Sequence, residues 1–266
     1  MLITVGLLCA NVRNTLEELT VVRLSDRVIV ITGATGGLGN RFAKEFSNYG
    51  SSLALFGRNL KALEELAGSL PVRTLPICCD VTNERQMEEG FEKVAERFGK
   101  VDSVLANAGA LLSPGRAESL PLDVWCNTIE VNLTGSWITA RAAHPYLREA
   151  EMGQLAFVSS RASSIPTRGI CAYAAAKAGV EGLVRSLAVE WARDNICVNA
   201  VSPGLIDEGA TRSISENAKR GISDRTVLRR RGAASDLFGA VSLFIGGDAR
   251  YITGQVLAVD GGYGLR

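Results

Sequence analysis

Residues 27–39 read RVIVITGATGGLG, a β-branched run that breaks into a glycine-rich turn. Residues 27–31 show no polar alternation, as a strand buried on both faces should not. A helical apolar pattern follows over residues 40–49. Strand, glycine turn and helix in that order form a seat for a dinucleotide pyrophosphate. The glycines allow close backbone approach, and the helix N-terminus supplies free amides and a partial positive charge. Gly33, Thr35, Gly36, Gly37, Leu38 and Gly39 are therefore candidate nucleotide contacts.

Outward from this turn, strand and helix patterns alternate. A second strand over 52–56 ends in Gly57-Arg58. An acidic residue at this distance from the glycine turn would hold the ribose 2′-hydroxyl of NAD. None is present, and Arg58 can instead grip a 2′-phosphate through two hydrogen bonds. NADP(H) is the expected cofactor, with NAD(H) the alternative. A helix over 60–70 leads to a strand over 74–78, which ends in Cys79-Asp80-Val81. Asp80 either accepts from the adenine amine or caps the helix starting near Asn83. A strand over 101–106 ends in Asn107-Ala108-Gly109. Candidate residues thus stand at the carboxyl ends of successive strands, where open parallel sheets bind ligands.

Residues 122–147 read as helix, broken near Asn132, whose amide lies in an apolar stretch and needs buried partners. His144 reads as a packing or surface histidine. Residues 155–158 form a strand ending at Ser159-Ser160, and after a turn-rich loop a helix opens around Tyr173. Lys177 lies four residues on, so phenol and ammonium share one helix face, and Ser160 can fold back onto them. Such a trio can exchange a proton with a carbonyl. A tyrosine titrates near 10, so moving it to about 7 takes roughly 4 kcal/mol. One cation at about 4 Å supplies on the order of 4 kcal/mol at an effective dielectric near 20. A sixth strand over 196–201 ends in Ser202-Pro203-Gly204. Residues 205–231 lack the strand period and suit a lid, with Arg229, Arg230 and Arg231 read as solvated. A helix over 236–245 and a strand over 256–259 close the chain.

The fold expected is α/β: a single Rossmann-type, doubly wound parallel sheet of about seven strands with helices on both faces. Residues 1–23 are expected to be an N-terminal arm, and 24–266 one domain. The net charge of +1 offers no field for nucleic acid or an acidic membrane surface. Six cysteines without a CxxC pair and one histidine make a metal site improbable. Those cysteines read as buried, reduced thiols, which implies a reducing compartment, the cytoplasm. No stretch reaches the ~20 apolar residues needed to span a bilayer.

TGATGGLG, NAG, Asn132, Ser160, YAAAK and SPG occur in that order, and from about residue 24 to its end the chain resembles the short-chain dehydrogenases/reductases. TGATGGLG fits both TGxxxGxG and the TGxxGxxG of longer, two-part members, but the chain is too short for their C-terminal substrate region. The resemblance implies roles. Tyr173 exchanges the proton with the substrate oxygen, Lys177 lowers its pKa and holds the nicotinamide ribose, and Ser160 hydrogen-bonds the substrate. Asn132 holds a water linking Lys177 to solvent. Gly33, Gly37 and Gly39 line the pyrophosphate, with Asp80 at the adenine and Asn107 at the ribose. Pro203, Gly204 and Ile206 meet the nicotinamide. Glu208 departs from the family's usual threonine and would sit poorly beside phosphate unless turned outward.

The family includes 3-oxoacyl-[acyl-carrier-protein] reductases and many sugar, polyol and steroid dehydrogenases. The mixed charge of residues 148–151 does not favour an acidic carrier protein. Ala110, Leu111, Leu112, Ile165, Thr167 and Ile170 suit a medium-sized ketone or alcohol without a strong anion. The expected function is NAD(P)-dependent carbonyl reduction or the reverse alcohol oxidation. The alternatives are a non-catalytic dinucleotide-binding regulator or scaffold, or an NAD-using sugar or polyol dehydrogenase. A homotetramer is expected from the family's habit.

Overall fold

In the computed structural model, residues 24–112, 114–208 and 215–265 are described. The expected arm at 1–23, Cys9 and the central part of the expected lid, 209–214, lie outside them.

The first strand, β1 (Val28–Thr32), is buried along its whole length. Its side chains alternate between two cores: Val28 and Val30 join one, Ile29 and Ile31 the other. Strand β2 (Ser52–Gly57) repeats this, with Ala54 and Phe56 on the first side and Leu53 and Leu55 on the second. A period of two in an all-apolar run is what a central parallel strand requires. The remaining strands are β3 (Thr74–Cys78), β4 (Ser103–Ala106), β5 (Gly153–Val158), β6 (Ile196–Pro203) and β7 (Val256–Val259). They complete a parallel sheet in the order β3-β2-β1-β4-β5-β6-β7.

Helices α1 (Gly37–Asn48) and α2 (Leu60–Gly68) cover one face, through Phe42, Phe46, Leu63 and Leu66. Helix α3 (Glu84–Phe98) covers the other, where Phe91 meets Phe56 with ring centroids 5.3 Å apart. Burying each such ring contributes about 1.5–3 kcal/mol. Asn59 caps α2 by accepting from Ala62 N–H at 3.1 Å, and Asn83 caps α3 from Gln86 N–H at 3.0 Å.

The segment read as one interrupted helix is α4 (Leu122–Ile129), a wide π turn (Glu130–Thr134) and α5 (Gly135–Leu147). The break near Asn132 is therefore a π turn, a local widening that often sits at functional sites. The Ala-rich α6 (Cys171–Glu190) packs beside it; its alanines favour helix by intrinsic propensity, and Val180 and Val184 are buried in the core. Helices α7 (Glu216–Asp224) and α8 (Ala234–Ile245) follow.

Several expectations change. Strand β6 runs on through Pro203, because Ser202 and Pro203 pair with Ala258 and Val259 of β7. Arg230 and Arg231 are not merely solvated: Arg230 grips both oxygens of Asp236, and Arg231 bridges Asp207 and Glu216. His144, read as a packing or surface histidine, does pack, against the Trp191 ring, and bonds Asp194 at 2.8 Å. Among the described cysteines, none is disulfide-bonded, and Cys78 and Cys126 are exposed rather than buried. An edge strand and a short surface helix leave those two positions uncovered.

Candidate active site

Strand order turns between β1 and β4, so the loops leaving them diverge to opposite faces and open a crevice. A cleft of about 730 Å³ lies there. It is lined by every cofactor candidate read from the sequence except Gly39, and by Ser160, Tyr173 and Lys177. Gly39 packs behind the turn against Gly33, and Asn132 is fully buried behind Gly109.

The glycine turn is locked to the neighbouring strand. The Thr32 hydroxyl accepts from the amides of Asn107 and Ala108 at 3.1 and 3.0 Å. In return Asn107 Nδ2 donates to the Thr32 carbonyl at 2.9 Å. Gly33 adopts φ +64°, and a Cβ there would come within 2.9 Å of Ala108 Cα, so only glycine fits. Gly36 stands at the N-terminus of α1, where no side chain caps the first-turn amides. Those amides and the helix dipole suit a pyrophosphate, so the chain fits the dinucleotide the motif implies.

Arg58 is exposed at the end of β2 and lines the cleft, as does Asp80. Asp80 does not cap α3, which Asn83 caps. Its Oδ1 accepts instead from the Thr82 amide and hydroxyl at 3.0 and 2.8 Å. Glu208 lines the cleft and pairs with Arg41 of α1 at 3.8 Å, which offsets its charge at the phosphate end.

Tyr173 and Lys177 project from α6 toward the ends of β4 and β5. Lys177 is buried, its Nζ donates to the Val158 carbonyl at 2.9 Å, and burial pushes its pKa down to about 8. Its Nζ lies 5.7 Å from the centre of the Tyr173 ring. Burial raises the Tyr173 phenol above its ordinary value, and the Ser160 hydroxyl opposes that rise. The expected lowering of the phenol toward 7 by the ammonium is therefore not seen: burial is the first cause, it acts upward, and Lys177 is not among the causes. Ser160 Oγ accepts from the Ala162 amide at 3.2 Å, which leaves its own proton for the phenol side.

The Asn132 amide clamps Ala110 by accepting from its N–H at 3.1 Å and donating to its carbonyl at 2.9 Å. A third bond runs from Nδ2 to the Thr128 carbonyl at 3.0 Å. Gly109 lies between this amide and Lys177: a Cβ there would sit 2.8 Å from Asn132 Oδ1 and 3.3 Å from Lys177 Nζ. Val131 and Arg41 contribute to the cleft or its rim but carry no signal in the sequence. Thr32 was visible only as the first letter of a motif.

Among the described residues, no group of three His, Cys, Asp or Glu side chains could hold a metal. No described helix is long and apolar enough to cross a membrane.

A crevice of this build defines a class, the dinucleotide-binding proteins that load their ligand at the switch point of a parallel sheet. Comparison with known proteins narrows it. A family model described as enoyl-(acyl carrier protein) reductase matches residues 33–264, and the chain belongs to the short-chain dehydrogenase/reductase family. Sorbose reductase sou1 of Schizosaccharomyces pombe is 36% identical over 90% of this chain and 96% of its own. The 3-oxoacyl-[acyl-carrier-protein] reductase FabG of Thermotoga maritima is 33% identical over 91% and 99%. The crystal structure of levodione reductase superposes with a TM-score of 0.85 at 28% identity, covering 90% of this chain and 97% of that one. The protein is an NAD(P)-dependent oxidoreductase that acts on small-molecule carbonyls or the matching alcohols.

Proposed function

We propose that this enzyme reduces the carbonyl of a neutral, medium-sized ketone with NADPH, using Tyr173, Ser160, Lys177 and Asn132. The observation that carries this reading is geometric: Tyr173, Ser160 and Lys177 line the same cleft as the glycine turn, with Lys177 Nζ 5.7 Å from the centre of the Tyr173 ring. Burial holds the phenol above its ordinary value and the ammonium at about 8. At neutral pH the tyrosine therefore keeps a proton to give, and the lysine is still a cation.

In this mechanism Ser160 donates a hydrogen bond to the substrate oxygen and holds it against Tyr173. When bound, a reduced nicotinamide would supply the hydride that the carbonyl carbon accepts. Tyr173 passes its proton to the oxygen as charge develops there, which general-acid catalysis rewards by about 10²–10⁴-fold. Lys177 stabilises the phenolate left behind, and Asn132 fixes the Ala110 segment and a path for returning the proton. The glycine turn and the α1 amides hold the pyrophosphate, with Asp80 and Val81 at the adenine. Asn107, Ala108 and Gly109 flank the ribose, and Pro203, Gly204 and Ile206 the nicotinamide.

Preference for NADPH rests on Arg58 at the end of β2 and on the absence of a carboxylate beside it. Titrating the protein with NADPH and with NADH, in wild type and Arg58→Ala, tests it. Tighter NADPH binding that is lost in the variant supports the reading, and equal or tighter NADH binding overturns it. Loss of ketone turnover in Tyr173→Phe, with NADPH binding retained, tests the chemistry.

Assembly as a homotetramer fits two uncovered apolar faces. One is a groove between α5 and α6 at Leu133, Trp137 and Leu183, and the other is the β7 edge with Leu257 and Tyr251. Light scattering on a sizing column distinguishes four copies from two or one. The five described cysteines, none disulfide-bonded, fit a cytoplasmic setting.

A further inference from the structure

Helix α6 presents a third polar residue on the face of Tyr173 and Lys177. Glu181 lies one turn past Lys177 and two past Tyr173, so the three share one stripe. Its Oε1 accepts from the Ser159 hydroxyl at 2.8 Å and from the Ser163 hydroxyl at 2.6 Å. These serines bracket Ser160: Ser159 precedes it directly, and Ser163 ends the single 3₁₀ turn that starts after it. The Ser163 amide also donates to the Ser160 carbonyl at 3.0 Å.

We propose that Glu181 is a positioning residue for Ser160. Its carboxylate pins both ends of the Ser159–Ser163 turn to the helix that carries Tyr173 and Lys177. This rests on the reading that Ser160 meets the substrate carbonyl. The physical reason is local. The turn joins β5 to a long loop, and its own hydrogen bonds set its shape but not its distance from α6. Charge-assisted bonds from one carboxylate to both ends set that distance together with the bond from Lys177 to the Val158 carbonyl. Ser160 must present its proton to a carbonyl that Tyr173 also reaches, and a shift of about 1 Å in such geometry can remove about 10²-fold in rate.

The test is a double-mutant cycle in the full chain with NADPH and three probe ketones: 2,3-butanedione, cyclohexanone and ethyl acetoacetate. Glu181→Ala should lower kcat by about tenfold to a hundredfold while the NADPH dissociation constant holds. In a Ser160→Ala background the same change should alter kcat by less than about twofold, because its effect runs through Ser160. Glu181→Gln, which keeps the accepting oxygen, should restore most of the rate. An equal loss in both backgrounds, or no loss at all, overturns the proposal, as does a loss of NADPH affinity that parallels kcat. If Glu181→Ala does not fold, the paired change Ser159→Ala/Ser163→Ala removes the other ends of the same bonds and carries the same expectations. If the wild type reduces none of the three ketones, the substrate reading fails and the crystal structure of Glu181→Ala decides. A displaced Ser160 Oγ relative to Tyr173 supports the role, and an unmoved one overturns it.

Discussion

The Lys177 ammonium donates a 2.9 Å hydrogen bond to the main-chain oxygen of Val158, two residues before Ser160. One buried cation thus ties the helix bearing Tyr173 to the strand that delivers Ser160. The tie is also a strain on the fold, because a cation has been taken out of water.

That strain is measurable. Lys177 releases its proton at about 8 in the folded chain, against 10.5 for a free side chain. Between those values the unfolded chain binds more protons, so stability rises with pH through that window and is flat below it. The full difference is about 3 kcal/mol at about 1.36 kcal/mol per pH unit. Replacing Lys177 by Met should remove the rise and leave the protein at least as stable at pH 7, while abolishing turnover. Urea melts of both proteins at pH 7 and 10 provide the check, and an unchanged pH dependence in the variant contradicts this account.

Reduction should be insensitive to pH from 6 to about 8, where the Tyr173 phenol is protonated and Lys177 charged, and should fall above about 8 as Lys177 neutralises. A plot of log kcat for ketone reduction against pH reads this directly. A descending limb between pH 6 and 7 would place the controlling group elsewhere.

Asn132→Ala removes the clamp on Ala110 and leaves its amide and carbonyl without their partner. Orphaning buried backbone groups costs about 1–3 kcal/mol. The melting temperature should fall by several degrees, and NADPH binding should weaken as the loop after β4 loosens. Calorimetry with and without NADPH measures both.

Gly109→Ala probes the packing between that clamp and Lys177. The added carbon would press on Asn132 Oδ1, at 2.8 Å, and on Lys177 Nζ, at 3.3 Å. Neither group has room to retreat without breaking its own hydrogen bonds. Turnover should drop by about tenfold or more, as small misplacements of reacting groups cause. Steady-state rates at saturating NADPH would show it, and wild-type kcat would mean that the site is looser than described.

Much of this was legible in the chain. The apolar runs of β1 and β2 announced strands buried on both faces, and the glycine turn between β1 and α1 announced where a phosphate would sit. The spacing of Tyr173 and Lys177 placed both on one helix face. Long-range pairing was not legible. Nothing local says that Glu181 reaches Ser159 and Ser163, though its place four residues past Lys177 was a clue. Arg41 of α1 meets Glu208 in the loop after β6, a pairing between segments far apart in the chain. The role of Asp80 was undecided until Asn83 proved to be the cap of α3.

By itself the sequence determined periodicity, turn chemistry and the residue types at each strand end, because those depend on neighbours a few positions away. Tertiary structure decided protonation and distance. Whether Lys177 is desolvated, which carbonyl it binds, and how Asn132 and Gly109 crowd it all depend on segments some twenty to seventy residues apart. Burial and hydrogen bonding across such separations are properties of the packed sheet, and they set the charge and reach of groups the sequence can only name.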